Sequence, residues 1–295
     1  MYRKIKSPIY RNYELQLFKD KKTQEEFNEK GYVHLKDIIP FETIHKLRST
    51  YQEIKNEENF ECTNFYINSI AFKSTHLKEK IRNEVGKIIE PFISNFLLND
   101  NIRYPISVGF CINPAKSILG SRLHQDPNLV DETKSYSIVL WIPLDNTDEL
   151  NGCLRVVKNS HLWGNHLRSN YHLKWHFDKF VDDILNENST AIPAKPCDII
   201  CFDPALIHGS GRNITDTERI AIQISLISKK DTLITVVEEN KLFPKAIYYQ
   251  IDEDYFTNET VKQHPTEKYP IIKYEKLNYY YTRKSILQLI NAYKK

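Results

Sequence analysis

The residues with the clearest chemical potential are in the tetrapeptide Leu123-His124-Gln125-Asp126. On extended backbone, residues i and i+2 point to one face, so His124 and Asp126 present an imidazole nitrogen and a carboxylate oxygen side by side. A further imidazole from a distant strand would complete two histidines and one carboxylate, the facial arrangement that holds non-haem Fe(II) and leaves coordination positions open. His208, at the end of the apolar stretch Ile199-Ile-Cys-Phe-Asp-Pro-Ala-Leu-Ile207, is the best candidate. Alone, a His-x-Asp is a weak signal in a chain with ten histidines, most of which are expected to be partly buried polar residues.

A second feature strengthens the first. Arg219 opens the apolar stretch Arg-Ile-Ala-Ile-Gln-Ile-Ser-Leu-Ile227. A cation at the head of a buried strand is costly unless an anion meets it, and the planar guanidinium suits a carboxylate through two parallel hydrogen bonds. Ser210, two residues after His208, shares its face and could donate another. The plainer alternative, that Arg219 pairs with a structural Asp or Glu, is the better reading for that residue alone and the weaker one for the combination. Nucleophilic chemistry has less support. No cysteine has a neighbouring His to lower its pKa, and His208-Gly-Ser-Gly211 lacks the GxSxG pattern of a nucleophile elbow.

The elements that must position these groups can be sketched from patterning. The chain has 295 residues, 41% hydrophobic and 27% charged, which fits one decorated domain better than two. Thr23-Gln-Glu-Glu26 has the form of a capping box before a short helix, and Gly31–Lys36 alternates like a strand. Ile44, Leu47, Tyr51 and Ile54 mark an amphipathic helix over 41–55. A second helix over 75–98 carries a stripe from Leu77 to Phe96, and Pro91 is expected to bend or split it. From about Arg103 short β-rich stretches follow at 104–112, 136–143, 153–157, 198–203, 219–228 and 233–237. Many short strands at this spacing predict an antiparallel barrel or jelly roll. Residues 165–189 interrupt them as a polar insertion with a short helix around 177–185.

Several function classes recede on composition. Forty-one basic residues against 38 acidic ones are too balanced to argue for nucleic-acid binding. No apolar run approaches the ~18–20 residues needed to cross a bilayer, and Met1–Pro8 lacks the apolar stretch of a secretory signal. Five scattered cysteines without a CxxC pair point to reduced thiols and a cytoplasmic setting.

From His124 to Ile227 the sequence resembles the phytanoyl-CoA dioxygenase family of Fe(II)- and 2-oxoglutarate-dependent oxygenases. The resemblance rests on Leu-His-Gln-Asp at 123–126, Trp-Ile-Pro-Leu-Asp at 141–145 and Asn-Gly-Cys-Leu-Arg-Val-Val-Lys-Asn-Ser-His at 151–161. It continues through Pro196-Cys-Asp-Ile-Ile-Cys-Phe202, His208-Gly-Ser-Gly-Arg-Asn213 and Arg219, and its front end is similar over Phe27–Asp37, for a coverage of roughly 20–230. It implies a mainly β fold with flanking helices (α+β), a double-stranded β-helix or cupin-like jelly roll. It implies one domain over 1–295, with helical support at 20–102, a jelly-roll core at 103–237 interrupted by 165–189, and a C-terminal extension at 238–295.

By position, His124, Asp126 and His208 match the family's iron ligands, and Arg219 with Ser210 the pair that holds the distal carboxylate of 2-oxoglutarate. Gln125 matches a cosubstrate or substrate contact in some members. Trp141 matches an aromatic lining the barrel, with plain core packing the alternative. The implied activity is hydroxylation of a small organic substrate using O2, with succinate and CO2 as co-products. A carboxylate at 126, rather than the Gly or Ala of halogenating relatives, agrees with hydroxylation. Two departures stand out: Cys197 replaces the Gly of a Pro-Gly-Asp turn, and Asn113 replaces the Lys that in many members contacts the C1 end of the cosubstrate.

The alternative from another class is a non-catalytic jelly roll that senses a ligand or metal, which the set of ligands with Arg219 disfavours. His161 is read as structural or near the site, and His166, His172 and His176 as part of a solvated loop. The last 55 residues hold nine of the 18 tyrosines and end in an amphipathic helix over Ser285–Tyr293. They are expected to cover the barrel or an oligomer contact, with Tyr248, Tyr249, Tyr255 or Phe256 as an alternative lid. Acyl-CoA, carrier-bound acyl, amino-acid and sugar substrates all stay open, as does the oligomeric state.

Overall fold

The computed structural model describes residues 16–58, 64–97, 102–164, 167–169, 175–228, 230–239, 245–259, 264–276 and 281–292. Cys62, His166, Tyr171, His172, Lys174 and Tyr293 lie outside the described residues.

Three helices and the first strand form the amino-terminal part: α1 (Lys21–Lys30), β1 (Tyr32–Leu35), α2 (Phe41–Glu58) and α3 (Thr75–Phe96). The start of α1 corrects the capping-box expectation. Asp20 is the N-cap, and its carboxylate accepts both the backbone N–H and the hydroxyl of Thr23. Asp is as good a cap as Thr, and it lies three residues earlier. Helix α3 runs through Pro91 as one element, so the split expected there as one of two outcomes does not occur.

Strands β2 (Ile67–Asn68), β3 (Ile102–Asn113), β4 (Ser137–Pro143), β7 (Ile199–Phe202) and β9 (Arg219–Ser228) join β1 in a six-stranded antiparallel sheet of order β1-β7-β4-β9-β3-β2. A second sheet of order β6-β5-β8 is built from β5 (Leu154–Val157), β6 (Thr190–Ile192) and β8 (Ile207–Ser210). This is the jelly roll expected from the sequence. The apolar stretch 199–207 is not one strand. A turn at Asp203–Leu206 divides it, so His208 lies inside β8 in the opposite sheet.

Alternation along the strands explains why β4 and β9 read as nearly continuous apolar runs. On one face of the large sheet, Phe110, Leu140, Ile220, Ile222, Ile224 and Leu226 pack against Leu47, Tyr51, Ile81 and Ile89 of α2 and α3. On the other face, Val139, Trp141, Ile200, Phe202 and Ala221 meet Leu154, Val156 and Ile192 of the small sheet. Both faces are covered, so both residue sets are apolar.

The C-terminal extension contributes a further three-stranded sheet, β10 (Ile234–Glu239), β11 (Lys245–Gln250) and β12 (Ile271–Lys276), with α4 (Tyr255–Asn258) and α5 (Arg283–Ala292). Helix α5 packs Ile286 and Ile290, with Tyr281, against Phe177, Phe180, Val181 and Ile184 of the 165–189 segment. The short helix expected around 177–185 is present as a 3₁₀ turn and a π-turn, and its apolar residues form a buried cluster of their own.

Candidate metal centre

His124 and His208 are brought together by backbone pairing. Each accepts the other's N–H at 2.8 Å in an isolated antiparallel bridge that extends the small sheet. Residues directly opposite in such a bridge place their side chains on one face, and the two imidazole centroids lie 4.5 Å apart. Asp126 is held two residues on by its N–H to the Pro204 carbonyl at 2.9 Å. Its carboxylate oxygens lie 3.6 Å from His124 Nε2 and 3.7 Å from His208 Nε2. One ligand atom from each residue falls within 4.8 Å of the others, the one such cluster of His, Cys, Asp and Glu among the described residues.

Tautomers are fixed as a metal requires. His124 Nδ1 lies 2.7 Å from the Arg122 carbonyl and His208 Nδ1 2.9 Å from the Leu206 carbonyl. A ring nitrogen facing a carbonyl carries a proton, so in the neutral form of either ring the lone pair is on Nε2, on the side of Asp126. Burial pushes the His208 imidazole down, to about 4, against the Asp126 charge, so it is neutral at pH 7. Burial also opposes ionisation of Asp126, but the His208 and His124 rings and Arg168 outweigh it and hold its carboxyl below the usual range. Burial lowers the His124 imidazole, but the Asp126 carboxylate outweighs it and holds that ring above its ordinary value; two imidazoles and one carboxylate are a donor set that fits a ferrous ion.

The cluster opens into a cavity of about 620 Å³ between the two sheets. Arg219 reaches the same cavity from the head of β9, with its guanidinium 5.6 Å from the centre of the Trp141 ring. It is 1% exposed, and only Nη1 has a hydrogen bond, to the Cys111 carbonyl at 3.3 Å. Nε and Nη2 are buried without a partner. Among the described residues no Asp or Glu bonds Arg219, so that alternative is set aside. A buried orphan fork of this kind fits a carboxylate ligand. Ser210 lines the cavity, and its Oγ accepts the Ser121 N–H at 3.3 Å, leaving its own hydroxyl proton to donate.

Gln125 lines the same cavity. Its Nε2 donates to the Ala205 carbonyl, in the turn before β8, and its Oε1 accepts from Trp175 Nε1 of the 165–189 segment at 3.0 Å. Trp141 both packs in the core and lines the cavity. Asn113 does not line the cavity. It is fully buried, with Nδ2 donating to the Gly211 carbonyl at 2.9 Å. Cys197 adopts φ 81°, the left-handed region that favours Gly. His161 bonds the Asn28 carbonyl at 3.0 Å, away from the ligands. Of the four candidate lid residues, Phe256 alone lines the cavity. The Cys111 thiol is pushed up to about 11 by burial, and no thiolate forms there at neutral pH.

Three site residues were missed. Arg168, from the 165–189 segment, donates its Nε to the Asp126 carbonyl at 2.7 Å and its Nη2 to Glu132 at 2.5 Å, a fully buried ion pair. Gln223 donates to Asp126 Oδ2 at 3.3 Å, and Asn68 donates to Gln223 at 3.1 Å. Gln223 had a signal: a polar residue in an apolar strand, on the face of Arg219.

A sequence model of the family described as "Phytanoyl-CoA dioxygenase (PhyH)" matches residues 27–221. Among curated proteins, the chain is 25% identical over 226 residues to peroxisomal phytanoyl-CoA dioxygenase of Mus musculus, covering 66% of this chain and 64% of that one. It is 28% identical over 171 residues to the Bos taurus protein of the same name, covering 53% and 48%. The chain thus spans less than two thirds of the length of these relatives.

Among solved structures, SnoK, a non-heme alpha-ketoglutarate-dependent carbocyclase from nogalamycin biosynthesis, superposes with a TM-score of 0.51 at 19% identity, covering 72% of this chain and 86% of that one. HygX of Streptomyces hygroscopicus, solved with nickel and 2-oxoglutarate, gives 0.51 at 12% identity, covering 70% and 86%. EctD of S. alaskensis, solved with 2-oxoglutarate and 5-hydroxyectoine, gives 0.50 at 16%, covering 79% and 80%. These likenesses establish the shared fold. Since the family's sequence model spans well over half of its residues, the chain belongs to the phytanoyl-CoA dioxygenase family.

Proposed function

We propose that this protein is a non-haem Fe(II)/2-oxoglutarate-dependent dioxygenase that hydroxylates a small organic substrate, a metabolite or natural-product intermediate, with succinate and CO2 as co-products. The observation that carries this reading is one cavity holding the His124–Asp126–His208 cluster together with the unpartnered guanidinium of Arg219.

In this reading His124 and His208 bind iron through Nε2, and Asp126 through a carboxylate oxygen. Arg219 and Ser210 hold the far carboxylate of 2-oxoglutarate, and Trp141 flanks the guanidinium. The iron and its cosubstrate supply the oxidation, with O2 as oxidant; the protein supplies ligands, orientation and a pocket that excludes water. Ile70, Leu129, Phe202 and Phe256 wall the cavity with apolar surface. We read residues 1–295 as one working unit, because Phe256 of the extension and Leu167, Arg168 and Trp175 of the inserted segment share that cavity with the barrel.

The test is succinate release over a metabolite panel with Fe(II), 2-oxoglutarate, ascorbate and air. We expect turnover stimulated by at least one panel member, abolished in His124→Ala and Asp126→Ala. Wild-type-like turnover in either variant removes that residue from the metal centre.

A further inference from the structure

Gln223 stands at the middle of β9, on the same face as Arg219 four residues earlier. Its Nε2 lies 3.3 Å from Asp126 Oδ2. Which end of an amide faces a neighbour is decided by the surrounding hydrogen bonds, and here the decision begins at a backbone group. The Ile70 N–H donates to Asn68 Oδ1 at 3.1 Å, capping the 3₁₀ turn Ser69–Ala71. A backbone N–H is only a donor, so it fixes oxygen on that side of Asn68 and the NH2 on the other. That NH2 donates to Gln223 Oε1 at 3.1 Å, and the Cys111 thiol lies 3.7 Å from the same oxygen. Gln223 therefore turns its own NH2 toward Asp126.

The relay runs in one direction, from Ile70 through Asn68 and Gln223 to the carboxylate. Space is reserved for it by Gly109 on β3, where a Cβ would come within 2.6 Å of Asn68 Oδ1 and Ile70 Cγ1.

A carboxylate offers about four lone-pair sites on two oxygens and can take a metal ion through one oxygen or both. An amide N–H held on Oδ2 engages that oxygen and steers the metal to the other. We propose that Gln223, oriented by Asn68, is a positioning residue that restricts Asp126 to a single bond to the metal and so keeps the remaining coordination positions open. This rests on the metal-centre reading above. It adds that the side chain limiting the carboxylate comes from the strand that also carries Arg219, so one element sets both the ligand mode and the cosubstrate anchor.

The experiment is an anaerobic Co(II) titration of the full chain, without 2-oxoglutarate, following the cobalt d–d absorption. The proteins compared are wild type, Gln223→Met, Asn68→Ala and His124→Ala, with melting temperature as the folding control. Loss of an outer hydrogen bond to a metal ligand costs roughly 10- to 100-fold in metal affinity, and we expect that for Gln223→Met, with an altered d–d spectrum. Asn68→Ala, which does not touch Asp126, should change affinity and spectrum in the same direction by less.

An unchanged Kd and a superimposable spectrum in folded Gln223→Met overturn the positioning role. If Gln223→Met does not fold, the same criteria applied to Asn68→Ala decide. Should wild type bind no Co(II), the metal-centre reading itself falls. If wild type binds Co(II), His124→Ala does not, and the other two match wild type, the positioning role alone falls.

Discussion

Arg219 buries a full positive charge and leaves two of its nitrogens without partners. Burial alone depresses its basicity, against the weaker pull of Tyr66 and Cys111. An uncompensated buried charge costs several kcal/mol, so the ligand-free protein is strained in favour of an anion. Replacing Arg219 by Met should therefore raise two observables, one of stability and one of binding. The melting temperature without ligand should rise, while the apparent KM for 2-oxoglutarate should rise at least tenfold, since charge-assisted hydrogen bonds contribute about 1.5–3 kcal/mol each. Saturating 2-oxoglutarate should raise the wild-type melting temperature by mass action and leave that of the variant unmoved. A thermal-shift series with parallel kinetics checks both. His124, Asp126, His208 and Arg219 were legible because their chemistry is rare and their strand positions fix their faces. The hydrogen bonds of Gln125 were not legible, because its partners, Ala205 and Trp175, are 80 and 50 residues away, and no local pattern announces them.

At the level of elements, Arg168 of the 165–189 segment bonds the Asp126 carbonyl and pairs with Glu132 in the turn that follows, both side chains of the pair at most 1% exposed. Breaking one member of a buried pair leaves the other charge uncompensated, so Glu132→Gln should destabilise the fold by about 3–5 kcal/mol. Chemical denaturation measures it, and a change under 1 kcal/mol would contradict the assignment.

The join between β1 and β7 has its own signature. Burial raises the Asp198 carboxyl, but the N–H groups of Lys195 and Asp37 and the His34 ring at 2.8 Å outweigh it and bring it below its ordinary 3.8. A carboxylate with a depressed folded-state pKa contributes stability above the unfolded pKa and loses it as pH falls through the folded one. The wild type should therefore lose more stability than Asp198→Asn on going from pH 5 to below pH 3.8, as read by melting temperature.

Long periodic elements such as α2, α3 and β9 were readable within a few residues. Strands β6, β11 and β12 were not predicted. At three residues, β6 is too short to show a period, and β11 and β12 are defined by pairing with each other and with β10.

Across the whole molecule, the jelly roll was legible as a count of short strands. The partition of functional side chains between its two sheets was not, because register is a property of pairs. The small sheet brings His208, and His124 bridged to it, while the large sheet brings Arg219, Gln223 and Trp141. The C-terminal extension closes one wall with Phe256 and supports the inserted segment through α5.

Strand β9 is where these levels meet. Its even-numbered residues, Ile220, Ile222, Ile224 and Leu226, are sealed against the helices, and Arg219, Gln223 and Ser225 look into the cavity. A saturation scan across 219–226 should consequently come out as a comb. Substitutions at even positions should deplete folded protein in the cell, and those at 219 and 223 should spare abundance while silencing turnover. Two selective pressures are thus interleaved on neighbouring teeth of a single strand, and drift toward a new substrate can proceed on one set without loosening the other.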